Sequence, residues 1–119
     1  MNAITEARDQ LRTALEGIEN LNVHDAYPDV VQPPALIVFP DEPYMSLGPT
    51  FAGSYDVHMQ LILAVSRTAK LAGVDDLLAD VLQAKHGWRL TAVASIPAEA
   101  NERPDLLSTV VKLSKTVYL

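Results

Sequence analysis

Ser54, Asp56 and His58 are the residues whose types come nearest to a catalytic set. They sit at alternate positions, so on a strand a hydroxyl, a carboxylate and an imidazole would share one face. A hydrolase needs more than that, namely a nucleophile lifted on a sharp strand-to-helix turn beside an oxyanion site, and nothing around Ser54 resembles one. The other acid–base candidates are Asp76 and Asp80, four apart and therefore on one side of a helix, where paired carboxylates can move protons or hold a cation. No pocket-forming pattern accompanies them, and a solvated acidic face explains them as well. His24, His58 and His86 fall on different elements, with no pair at metal-ligand spacing. Gly48 and Gly53 flank no lysine and precede no helix, which excludes a phosphate loop. The residues thus specify no catalytic, cofactor or metal site.

Composition narrows the classes further. The chain has 119 residues, 49% of them hydrophobic, and reads as one domain over residues 1–119 with a single core. Net charge is −6 and the nine Lys and Arg are scattered, a poor footprint for gripping nucleic acid. No apolar run approaches the ~20 residues of a membrane span. The charged start, MNAITEARDQ, lacks a signal core, so the expectation is a protein made and kept in the cytoplasm, with no membrane partner. Absence of cysteine excludes disulfides and thiolate chemistry.

The elements follow from periodicity. Ile4, Ala7, Leu11, Leu15 and Ile18 form one stripe of a helix over residues 3–19. Residues 21–27 predict a short first strand. Residues 35–39, ALIVF, predict a second strand covered on both faces and bounded by prolines. Residues 55–66 alternate, with Tyr55, Val57, Met59, Leu61, Leu63 and Val65 opposite Asp56, His58 and Gln60. A second helix spans 70–85, with Leu71, Val74, Leu78, Val81 and Leu82 inward. Residues 89–96 and 106–119 complete the strands. The order α-β-β-β-α-β-β predicts an α+β domain: a mixed, mainly antiparallel sheet of four to five strands with two helices on one face.

Residues 41–54, DEPYMSLGPTFAGS, predict a long loop or hairpin arm, of a length that is usually functional. Tyr44, Met45, Leu47 and Phe51 on it are candidates for an interface with another subunit or another protein; the alternative is that the loop folds back over its own sheet. Trp88, after a helix stop at Gly87, is either core or seam. Lys115 is the one charge on an apolar strand face, and either snorkels at the sheet edge or meets a carboxylate across a subunit contact.

Taken together, "HDAYPDVVQPPALIVFP", "GSYDVHMQLILAVSR", "GVDDLLADVLQA" and "LLSTVVKLSKTVYL" resemble the tail terminator proteins of long, non-contractile-tailed phages, especially those of actinobacteria, over nearly the whole chain. The resemblance implies a virion structural protein without catalysis or cofactor, located at the tail end or neck. It implies a ring of six copies that caps the tail tube, ends polymerisation of the tube protein and joins the head connector. Genome DNA would pass through an acidic channel without being held. The alternatives are a head-tail connector or stopper of the neck and, from a different class, a small-ligand domain or enzyme.

Overall fold

The computed structural model describes residues 2–26, 28–49, 53–66, 71–85, 87–96 and 106–119. Helix α1 (Ala3–Glu16) begins where the Asn2 side chain accepts the Thr5 N–H at 2.8 Å, satisfying one of the orphan donors of the first turn. Its stripe of Ala7, Leu11 and Leu15 is buried. Arg12, on the opposite side, bonds Glu16 and reaches Asp25, both at 2.9 Å, which ties the helix to the turn after the first strand. The hydrogen bond and charge of Glu16, with Asp25 behind it, push the Arg12 pKa up. At this exposed site that anchors orientation more than it adds stability.

Strands β1 (Asn22–His24), β2 (Ala35–Leu47), β3 (Ser54–Ser66), β4 (Arg89–Ile96) and β5 (Leu106–Tyr118) form one sheet in the order β1-β2-β3-β5-β4, with helix α2 (Leu71–Gln83) between β3 and β4 in the chain. β1 runs parallel to β2, and the remaining junctions are antiparallel. The expected α+β architecture and element order are therefore those of the protein.

Registers assign every strand residue to a face. Val57, Met59, Leu61, Leu63 and Val65 of β3 stand beside Leu36 and Val38 of β2 and Val111, Leu113 and Val117 of β5. These bury against Leu11 and Leu15 of α1 and Val81 of α2, with Val74, Leu77, Leu78 and Leu82 packed on the margin. Both helices thus lie on this face. Trp88 is enclosed in the same core at 2% exposure.

The opposite face is apolar at one end and polar at the other. At the apolar end Ala35, Ala64 and Leu106 are buried beneath Val31, so the proline-rich segment 28–34 folds over the sheet and supplies the second cover that ALIVF requires.

β2 departs from the sequence expectation. It continues through Pro40 and Pro43 to Leu47, with a register shift between Pro40 and Met45, and pairs Met45, Ser46 and Leu47 with Val57, Asp56 and Tyr55. β1 pairs only with Ala35, Leu36 and Ile37, so β2 becomes an edge strand from Val38 onward. On an edge, and at a bulge, a residue without an N–H interrupts little. Residues 41–47 are therefore one side of a hairpin arm rather than a loop, and the arm makes the molecule elongated, 49 × 28 × 27 Å.

Candidate functional site

The arm is built from the second half of β2, the first half of β3 and the end of β5. Its tip is fastened by two backbone bonds: the Gly48 N–H donates to the Ser54 carbonyl at 3.0 Å, and the Leu119 N–H to the Gly53 carbonyl at 2.8 Å. Both glycines are required by space. A Cβ on Gly48 would lie 2.8 Å from the Ser54 carbonyl carbon, and one on Gly53, at φ +71°, would lie 2.7 Å from the Leu119 oxygen.

The structure divides the sequence-derived interface candidates. Tyr44 and Met45 are half-buried and pack against their own core. The Tyr44 ring lies 5.9 Å from the Arg8 guanidinium, and its hydroxyl is buried without a hydrogen-bond partner. Tyr44 and Met45 both lie within β2 itself rather than on a loop folded back over the sheet, and α1 covers this root of the arm. Leu47, by contrast, is 84% exposed. Phe51 lies outside the described residues. Trp88 belongs to the interior, its Nε1 unpaired, and offers nothing to a partner surface. It follows Gly87, whose φ is +76°, four residues after α2 ends at Gln83. Lys115 is half-buried beside α1, in a groove of about 180 Å³ shared with Glu6, Gln10 and Tyr118. No carboxylate pairs with it among the described residues.

Two residues that periodicity assigned to the last strand join Leu47 at the same end. Tyr118 and Leu119 are 65% and 63% exposed, and Tyr118 pairs with Ser54 in the register next to Leu47 opposite Tyr55. Among the described residues the arm therefore ends in three exposed apolar side chains spread over both faces of the sheet. By alternation Leu119 falls on the same side as the buried Val117, yet it is exposed.

The chemistry-bearing residues gather on the polar end of the open face. His58 lies between two hydroxyls, Nε2 at 2.7 Å from Ser46 Oγ and Nδ1 at 2.5 Å from Ser114 Oγ. Asp56 accepts a hydrogen bond from Thr116 Oγ1 at 2.6 Å, and Arg89 reaches both, Nη1 to Thr116 at 3.2 Å and Nη2 to Asp56 at 3.6 Å. Asp41 meets Lys112 at 3.7 Å. Imidazole and carboxylate thus have separate partners: His58 has no carboxylate to orient it, and Asp56 is held by a hydroxyl and a guanidinium. These contacts bridge neighbouring strands and fix the sheet's register, as cross-strand polar pairs do.

The remaining candidates stay apart. His24 is half-buried on β1, and His86 lies outside the described residues. Asp76 and Asp80 are exposed on α2. An open cleft of about 490 Å³ between the C-terminal ends of the helices is lined by Glu19, Asp80 and Gln83, with no histidine or hydroxyl among the described residues. A smaller apolar hollow of about 200 Å³ lies between Pro33, Pro34 and Val65 and the Val74 and Leu77 side chains. Among the described residues no group of three His, Cys, Asp or Glu side chains could hold a metal, and no helix is long and apolar enough to cross a membrane. No protein-family model matches the chain, and no curated protein is significantly similar to it.

Proposed function

We propose that the chain is a ring-forming structural protein of a phage virion, a tail terminator that caps the tail tube, stops its polymerisation and presents a surface to the head connector. The ring, of six copies by resemblance, would form from this one domain. The observation that carries the reading is the hairpin arm. Its strands are joined near the tip by backbone hydrogen bonds at Gly48 and Gly53, and among the described residues it ends in the exposed Leu47, Tyr118 and Leu119. Apolar side chains ordered at the end of a projecting hairpin gain most when another molecule covers them. The arm is suited to reach a neighbouring subunit or the tail tube.

The test separates contact residues from folding residues. Leu47→Ser should leave a folded monomer, with an unchanged circular dichroism spectrum and melting transition, yet prevent ring formation on tail tubes. Unimpaired capping by the Leu47→Ser variant would remove the arm from the interface. Capped tails in which this protein occupies the portal side of the neck would reassign it to the connector.

A further inference from the structure

The sheet has two free edges, and they differ. Among the described residues nothing pairs with the outer side of β4 or with β2 beyond Ile37. The β2 edge carries the usual protections, Pro40 and Pro43 without N–H groups, a bulge, and the acidic pair Asp41 and Glu42. β4 has no proline and no carboxylate, and its single charge is Arg89 at its start. Residues 89–95 are all exposed, including Leu90 and Val93, at 43% and 42%. An edge left this neutral on a chain of net charge −6 is where a second copy can approach with least repulsion.

Polarity and level agree with that approach. β4 is antiparallel to β5, β5 to β3 and β3 to β2, so β4 runs antiparallel to β2. Copies related by rotation about an axis along the strands would therefore meet, β4 against β2, at an antiparallel junction. Registers give the heights: Val93 lies level with Val111, Leu61 and Val38, while Arg89 lies level with Ser114 and His58, opposite the β2 bulge that holds Asp41 and Glu42. Above Val93, Ala94 and Ile96 stand level with β1, which already occupies that part of the edge. Asp41 is turned to Lys112, leaving Glu42 exposed, and Arg89, whose side chain is more than half exposed, would exchange its 3.6 Å contact with Asp56 of its own copy for that carboxylate.

We propose that these edges are the two halves of one head-to-tail contact between copies of this chain, residues 89–93 of one copy lying along residues 38–42 of the next with Arg89 facing Glu42. Leu90 and Val93 then meet the exposed Pro40 and the backbone at Val38, whose side chain is buried in its own core, on the helix-covered side. Both edges are bulged at this level, β4 at Thr91, whose hydroxyl bonds the Lys112 carbonyl at 3.1 Å. The junction is accordingly made by side chains as well as by backbone bonds. Because each copy offers both halves, the contact propagates, and it closes as a ring when the rotation between copies divides a full turn. It rests on the ring reading only for that closure.

Native mass spectrometry and sedimentation of the purified chain up to about 1 mM, a range that detects contacts of about 4 kcal/mol, provide the test. The expected result is association beyond two copies. Val93→Lys and Glu42→Arg, both at surface positions, should each weaken it roughly tenfold per junction, and Arg89→Glu combined with Glu42→Arg in one chain should recover it in an Asp56→Asn background, which removes the carboxylate beside position 89. A species that stops at two copies would overturn the head-to-tail contact in favour of a two-fold one. Larger assemblies indifferent to both single variants would place the subunit contact elsewhere and leave the ring intact. A wild-type chain monomeric throughout this range would overturn the contact without touching capping on a tail tube, which tail length reports independently.

Discussion

Replacing Gly53 by alanine isolates the fastening of the arm. At φ +71° a residue with a Cβ loses about 1–2 kcal/mol relative to glycine. The new Cβ also lies 2.7 Å from the Leu119 carbonyl oxygen, too close to remain, and the displaced segment is the one whose N–H donates to Gly53 at 2.8 Å. Loss of that hydrogen bond costs about 1 kcal/mol more, so the expected destabilisation is roughly 2–3 kcal/mol. Urea unfolding followed by circular dichroism should show the midpoint falling by about 1–2 M at unchanged slope. Gly53→Asn should lose less, because asparagine tolerates the left-handed region while keeping the steric conflict. An unchanged midpoint for Gly53→Ala would mean that the tip is not held in this conformation, and the fastening of the arm would have to be abandoned.

Other substitutions probe the remaining parts of the fold. Gly73, inside α2 with no atom within 4 Å of where a Cβ would stand, should accept alanine with a gain of about 0.5–1 kcal/mol in thermal or urea unfolding. Trp88→Ala, which empties a 2%-exposed site in the core, should cost about 3–5 kcal/mol and impair folding before it impairs any contact. Leu47→Ser and Tyr44→Ser should diverge: the first changes stability by less than about 0.5 kcal/mol, whereas the second removes a ring packed against α1 and lowers the melting temperature measurably.

The helices and the alternating strands were legible because their burial is periodic. Each inward residue of β3 named from alternation is on the helix-covered face, and Ala7, Leu11 and Leu15 of the α1 stripe are buried as spaced, while Ile4 is half-buried and Ile18 lies past the helix end at Glu16. The extent of β2 was not legible, since a local rule stops a strand at proline whereas the sheet tolerates Pro40 and Pro43 once β1 has ended beside Ile37. The role of Val31 was hidden for a similar reason: a loop residue becomes core only when Ala35, Ala64 and Leu106 meet beneath it. Of the candidate contact residues, Leu47 was recognisable as a large apolar residue in an unusual segment. Tyr118 follows from alternation, on the side opposite the buried Val117, whereas Leu119 shares the side of Val117 and is exposed all the same. Tyr44 and Trp88 looked similar to Leu47 in sequence and differ from it only through what covers them.

The most direct measurement is electron microscopy of lysates from the phage or prophage carrying this gene, with the gene disrupted and restored in parallel. A tail terminator requires that disruption leave tubes of uncontrolled length beside tailless, DNA-filled heads, and that normal tails return on complementation. Infectious particles with ordinary tails in the absence of the gene product would contradict it.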